Sequence, residues 1–172
     1  ELSLAAVSHA KASGVKVTID INYRSRLWSA SDANKTLSKM CEFATLLICT
    51  REDAKDVFGI TGTSEEVIRE LSKKLQVEQM VLTDGAVGAV SLNNGQVKMT
   101  PSIKTDTIDR VGAGDAFAAG VISGLLDDDV DLGLSRGVAM AALKRGTYGD
   151  QLLTSMKEVE QLIAGSGRVV SR

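Results

Sequence analysis

A chain of 172 residues, 44% hydrophobic and 24% charged, is long enough to bury one substantial core and has the balance of a globular protein. A net charge of −2 argues against broad electrostatic capture of nucleic acid, and an aromatic content of 3% leaves few rings for base stacking. No apolar run is long enough to span a membrane, and Glu1-Leu2-Ser3-Leu4 opens directly into an amphipathic pattern rather than a secretory signal, so neither nucleic acid nor membrane is an expected partner. The chain starts on Glu1 and not on methionine, which suggests that it does not begin at a natural N-terminus.

Residues 2–13 carry a helical pattern that Gly14 should stop. Val15 to Ile21 is rich in β-branched residues and predicts a buried strand, ending in the polar cluster Asp20-Ile21-Asn22-Tyr23-Arg24. Ser31 and Asp32 are cap-type residues that open a helix to about Glu42. Thr45 to Cys49 is a short apolar strand, Thr50 to Phe58 a helix stopped by Gly59, and Thr63-Ser64-Glu65-Glu66 the start of a helix to about Leu75. Gln79 to Thr83 predicts a strand, Asp84-Gly85 a turn, and Gly88 to Leu92 with Gln96 to Thr100 a hairpin around Asn93-Asn94-Gly95. Helical patterns follow at about 113–126, 131–145 and 155–163. Asp127-Asp128-Asp129 between the first two suits a solvated turn better than a metal site, and Gly165-Ser166-Gly167 suits a frayed tail.

Helices and strands alternate, with one antiparallel hairpin inserted. The expected fold is α/β: a mostly parallel central sheet flanked by helices. Ligands of such sheets sit beyond the carboxyl ends of the strands. Asp20–Arg24, Thr50, Thr83–Gly88 and Gly112–Asp115 are therefore expected along one edge.

Cys41 and Cys49 lack any CxxC or metal-ligand spacing and read as buried reduced thiols, which suits a cytoplasmic protein. His9, the only histidine, lies in an Ala-rich helical pattern and is expected on the surface. The densest chemical signal is Asp109-Arg110-Val111-Gly112-Ala113-Gly114-Asp115. Small residues at a helix start let an anion approach free backbone amides, and an adjacent aspartate can take a proton from a hydroxyl group. Phosphoryl transfer to an alcohol needs these parts. There is no GxxxxGK[ST] loop, and Phe117 stands where a dinucleotide fingerprint has its third glycine.

The run Asp109–Asp115 resembles the Asp-Thr-x-Gly-Ala-Gly-Asp signature of the ribokinase-like (PfkB) sugar kinases, departing from it at Arg110. Arg110, with Asp20-x-Asn22-x-Arg24, Leu27-Trp28 and Tyr148-Gly149-Asp150, is similar to the 2-keto-3-deoxygluconate kinase branch. The resemblance implies a ribokinase-like layered fold of which this chain is the C-terminal, nucleotide-binding and catalytic portion, with the N-terminal half and its lid absent. It implies Asp115 as catalytic base and substrate contact. It implies Gly112, Ala113 and Gly114 as the anion hole.

By the same resemblance Asn22 and Arg24 face nucleotide phosphates, Arg24 alternatively the sugar acid, where a surface salt bridge is the plainer reading. Thr83, Gly85 and Gly88 match a Thr-x-Gly-x-x-Gly nucleotide loop, although a simple hairpin turn looks similar. Thr50-Arg51-Glu52-Asp53 stands where the family has Asn-x-x-Glu, so Thr50 and Asp53 are candidate residues linked to Mg²⁺, against the plainer reading of a helix cap with acids on the first turn. Asp150 is a candidate substrate contact. The implied small molecules are ATP with Mg²⁺ and a sugar or sugar acid, with a monovalent cation as a further candidate cofactor and a homo-oligomer as a candidate assembly. Other acceptors in the family (ribose, fructose, a nucleoside) and a non-catalytic nucleotide-binding portion are the alternatives.

Overall fold

A computed structural model describes residues 1–165. Ser166 and Gly167 of the expected frayed tail lie outside the described residues. The elements in order are α1 (Leu2–Ala12), β1 (Thr18–Asp20), α2 (Ala30–Cys41), β2 (Leu46–Thr50), α3 (Arg51–Phe58), α4 (Ser64–Leu75), β3 (Met80–Asp84), β4 (Gly88–Asn93), β5 (Gln96–Pro101), α5 (Ala113–Leu126), α6 (Val130–Arg145) and α7 (Met156–Ile163). The strands form one sheet in the order β1-β2-β3-β4-β5. β1 with β2 and β2 with β3 are parallel, with Asp20 opposite Ile48 and Thr50 opposite Thr83. The two residues between β4 and β5 are too few for a crossover, so that pair is antiparallel. The mostly parallel sheet with one hairpin matches the expected class.

The chain divides into two compact units, Glu1–Asp84 with Val90–Lys98, and Gly85–Ala89 with the residues from Met99 onward. In the first, α2 buries Ala33, Leu37 and Cys41, one residue per turn, and α4 buries Val67, Ile68, Leu71 and Leu75. Full burial of each large side chain stabilises by about 1.5–3 kcal/mol. Both helices are amphipathic for this reason: their other faces stay wet. The Thr63 side chain accepts from Glu66 N, while Glu66 reaches back to Thr63 N at 2.8 Å. This reciprocal cap fixes where α4 starts. Gly59, left-handed at φ 71°, ends α3 as expected.

Two local expectations are corrected. β1 is not a wholly buried strand: Val17, Ile19 and Ile21 are buried, but Val15 is 56% exposed and Lys16 and Asp20 face solvent. Alternation along the strand puts Val17, Ile19 and Ile21 on the covered face and Lys16 and Asp20 on the other, and Val15 lies ahead of the strand. The cap of α2 is Ser29, two residues ahead of the expected Ser31; its hydroxyl accepts from Asp32 N at 3.1 Å and donates to the Asp32 carboxylate at 2.7 Å. The cysteines are free and buried, and burial pushes the Cys41 thiol up to about 12 and the Cys49 thiol higher still. His9 is exposed, as expected.

In the second unit α5 and α6 meet through glycine. A Cβ on Gly120 would lie 2.5 Å from Gly137 N, one on Gly133 2.6 Å from Val121 O, and one on Gly137 2.9 Å from Phe117 O. The helix backbones are therefore in contact, which accounts for glycine in helix interiors where it otherwise costs about 1 kcal/mol each. α7 packs Val159 and Leu162 on Ala139 and Ala142 of α6. The turn 127–129 is local structure: Asp129 caps α6 by accepting from Leu132 N at 2.9 Å, and Asp127 pairs with Arg136. Among the described residues no group of three or more His, Cys, Asp or Glu could hold a metal, and no helix is long and apolar enough to cross a membrane.

Candidate functional site

In the first unit the register places three expected segments at the carboxyl ends of the parallel strands. Asp20–Arg24 follow β1, Thr50 ends β2 opposite Thr83, and Thr83-Asp84 end β3. Asn22 takes the left-handed region at φ 40°, a conformation asparagine tolerates better than most residues, and is exposed. Arg24 is also exposed, and its guanidinium donates to Tyr23 O at 3.1 Å.

Thr50 caps α3 through its hydroxyl, which accepts from Asp53 N at 2.9 Å, so the cap reading of Thr50 holds. Asp53 is the unusual member. It is only 7% exposed, and its Oδ2 has no hydrogen-bond partner. Burial is the largest influence on its carboxyl and raises it above the ordinary range, against hydrogen bonds from Thr50 and the Tyr23 backbone and the positive Arg24, which pull it down. A buried acid with one oxygen unclaimed is a group prepared to meet something. One such oxygen makes no all-protein cage, and with almost no surface of its own it would act on a hydrated Mg²⁺ through an intervening water.

Asp84, inside the expected nucleotide loop, is occupied locally. It accepts from Ser64 Oγ at 2.7 Å and pairs with Arg51 at 2.8 Å, tying the starts of α3 and α4 to the end of β3. These bonds together outweigh its burial and hold its carboxyl below the usual range. Arg51 and Asp84, with Lys55 and residues 60–62, border a cavity of about 240 Å³. Sequence reasoning passed over Arg51 and Ser64 because their partner lies 20 or more residues away. Gly85 has φ 51° and open space beside it. Gly88 has φ 130°, and a Cβ there would sit 2.7 Å from Ser102 N, so backbone packing alone demands glycine.

In the second unit the segment 108–115 is built tightly. Ile108 N and Asp109 N both donate to Arg145 O, at 2.8 and 3.2 Å. Asp109 accepts from Val111 N at 3.0 Å and from Gly149 N at 3.2 Å. Gly112 caps α5 with φ 81°, and a Cβ there would run into Asp150 O, so glycine is required twice over. Ala113 N donates to Arg110 O at 3.2 Å, which commits this amide to the turn. Gly114 N, in the first helical turn, has no acceptor within the helix by geometry, and a Cβ on Gly114 would meet nothing within 4 Å. Open space over a free amide at the positive end of a helix is what an anion needs.

Asp115 lies on that same first turn and is exposed. The structure thus brings Gly112 and Asp150 together. It places Asp115 on the first turn of α5, in water and not in the core. Tyr148 and Asp150 are exposed around Gly149, which has φ 83°. Lys144, wholly buried, was missed: at the end of α6 it reads as an ordinary basic last turn.

Comparison with known proteins identifies the family and the fold. The pfkB family carbohydrate kinase model matches residues 1–157. A 2-dehydro-3-deoxygalactonokinase of Haloferax volcanii is 34% identical over 164 residues, 95% of this chain and 52% of its own. The crystal structure of the 2-dehydro-3-deoxygluconokinase of Thermotoga maritima superposes with a TM-score of 0.84 at 30% identity, covering 94% of this chain and 54% of that one. A Vibrio cholerae fructokinase solved with fructose, ADP and calcium shares the fold, with a TM-score of 0.75 at 24% identity over 86% of this chain and 50% of that one. The chain spans about half the length of the curated relatives it matches. With the model covering nearly all of its length, the chain belongs to the pfkB family of carbohydrate kinases.

Proposed function

We propose that this chain is the C-terminal, nucleotide-binding and catalytic portion of a kinase that moves the terminal phosphoryl group of ATP to the primary hydroxyl of a sugar acid, 2-keto-3-deoxygluconate. The observation that carries the reading is Asp115, solvent-exposed on the first turn of a helix whose cap, Gly112, is left-handed and bare of side chain. Asp115 contacts the substrate hydroxyl and accepts its proton as the oxygen attacks. The amides of Gly112 and Gly114 stabilise the charge on the transferred group. The Ala113 amide joins them only by giving up its bond to Arg110 O. Positioning and charge stabilisation supply most of the acceleration in such transfers.

Thr83 and Gly85 line the nucleotide side, while Gly88 holds the loop's shape. Asn22 and Arg24 face nucleotide phosphate, or Arg24 the carboxylate of the sugar acid, whose two oxygens suit its fork. Asp150 contacts the sugar. Asp53, placed by the Thr50 cap, orients water on Mg²⁺; the ion, when bound, neutralises phosphate charge. The names of the Haloferax and Thermotoga relatives support a sugar-acid acceptor. Free buried thiols suit the cytoplasm. In the 172 residues alone, β1, an edge strand of three residues, is the place where copies would associate.

A coupled ADP-release assay with a panel of 2-keto-3-deoxygluconate, 2-keto-3-deoxygalactonate, ribose, fructose and a nucleoside, run on the kinase that contains this chain, tests the acceptor. The sugar acids should give the highest kcat/KM, and indifference to them removes that part of the proposal. One observation favours a second reading for the 172 residues alone: they span half of their relatives, so nucleotide binding without turnover is what this piece should show.

A further inference from the structure

The cavity bordered by Arg51, Glu52, Lys55, Asp84 and residues 60–62 lies wholly within the first unit, beside the strand ends that Thr50 and Thr83 bring together. At about 240 Å³ it falls below the ~300–1,000 Å³ usual for organic ligands, so it suits a small polar group. Two side chains select the chemistry of that group. Arg51 opens α3, where a cation runs against the helix dipole, so the helix itself gives no reason for it. Its Nη1 donates to Asp84 Oδ2 at 2.8 Å, and the buried Ser64 donates its hydroxyl to the same oxygen at 2.7 Å. Asp84 thus fixes one nitrogen of the guanidinium and leaves the Nε and Nη2 edge without a partner among the described residues. That edge is a fork for two oxygens. Lys55 follows one turn later on the same face of α3, and its ammonium too has no partner among the described residues. Like charges at this spacing repel. The four charges bordering the cavity cancel in sum but are not equally open: Asp84 is committed to Arg51 and Ser64, and Glu52 is the one bordering acid left unpartnered among the described residues.

We propose that this cavity is a binding site for a phosphate group, gripped by the Nε and Nη2 edge of Arg51 with Lys55 as the second cation. Asp84 is a positioning residue: it sets the guanidinium and does not itself meet the phosphate. A phosphate between Arg51 and Lys55 also relieves the repulsion between them. The group has two sources. Arg51 follows Thr50 and Asp84 follows Thr83, which are partners in the sheet register, so one source is an outer phosphate of the nucleotide; that source rests on the nucleotide role proposed above for Thr83 and Gly85. The other is a separate phosphorylated metabolite, for which the cavity is a regulatory site. The site itself depends on neither.

The test is NMR of the ¹⁵N-labelled 172-residue chain titrated with inorganic phosphate, with ionic strength held constant by chloride and nucleotide absent. The Thr61 and Gly62 amides and the Arg51 Nε–H signal should shift together and saturate. Arg51→Gln should raise the Kd for phosphate about tenfold, since a charge-assisted hydrogen-bonded contact is lost, and Lys55→Gln should raise it several-fold. Arg51→Lys should recover only part of the loss, because it restores the charge without the fork. Glu52→Gln should lower the Kd several-fold by removing the open acid. Lys55 is exposed, so Lys55→Gln reads the site even if Arg51→Gln unsettles the start of α3. Absence of a saturable shift at Thr61 and Gly62 overturns the proposal. So does a Kd that neither Arg51→Gln nor Lys55→Gln changes, or one that Glu52→Gln raises, which marks a cation site instead. Repeating the titration in saturating ADP separates the sources: ADP that shifts the same signals and excludes phosphate makes the group the nucleotide's own, and phosphate that still binds beside ADP makes it a separate ligand. Shifts at Gly114 report on the start of α5 and not on this cavity, and no turnover is measured, so this proposal and the assignment of Asp115 fail separately.

Discussion

Gly124→Ala should destabilise the protein although alanine is the better helix former. Gly124 lies inside α5, and the added Cβ would fall 2.5 Å from Asp129 O and closer still to Gly133 N and Cα. All three are backbone atoms, so no side chain can rotate away. The turn between the helices cannot yield either: Asp129 N donates to Gly124 O at 2.8 Å and Gly133 N to Asp129 O at 3.0 Å. Relief requires α5 and α6 to part by about 1 Å along their glycine seam, which forfeits a quarter to a half of each dispersion contact across it. Overpacking of this kind costs up to about 3 kcal/mol, and removing a helix-interior glycine returns about 1 kcal/mol. The net loss is about 2 kcal/mol, or a fall in Tm of about 4–8 °C for a chain of this size. Thermal denaturation followed by circular dichroism measures it. A Tm equal to or above wild type would show that the two helices are not in backbone contact.

Gly114→Ala is the counterpart, because a Cβ there meets nothing within 4 Å. Tm should stay within about 2 °C of wild type, while ADP affinity by calorimetry falls several-fold as the methyl group enters the space over the free amide; unchanged affinity would place the anion elsewhere. Asp53→Asn should show a pH-dependent effect on stability. The folded protein holds the Asp53 proton more tightly than the unfolded chain does, so ionising it costs stability as pH rises through the raised folded value, and below the ordinary value of 3.8 that cost is absent. The Tm of the variant minus that of wild type should therefore increase between pH 3.5 and pH 7, and a difference that is flat or falls with pH contradicts the buried charge.

Much of this molecule is written in local patterns. The Thr63–Glu66 capping box, the Thr50 cap and the Gly59 stop each lie within a few residues of their partners, and each falls where the sequence puts it. The local shape of Gly112–Asp115 was legible for the same reason: the glycine cap and the acid on the first turn are consecutive. What escaped depends on distance along the chain. Nothing near Gly120 or Gly124 says that Gly133 and Gly137 will press against them, and nothing near Lys144 says that its side chain will be wholly buried. β1 was overrated because β-branched composition signals a strand without saying whether a neighbour covers both faces. The burial of Asp53 was hidden too, since an acid on the first turn of a helix ordinarily faces water and complements the helix dipole.

The assignment of Asp115 as base is reached most directly by Asp115→Asn in the kinase that contains this chain, with ADP release and ADP affinity measured on the same preparation. Removing a general base that sits in solvent, outside the core, should lower kcat by roughly 10²–10⁴ and leave ADP affinity and Tm near wild type. Turnover within a few-fold of wild type in the folded variant would contradict the assignment and with it the proposed mechanism.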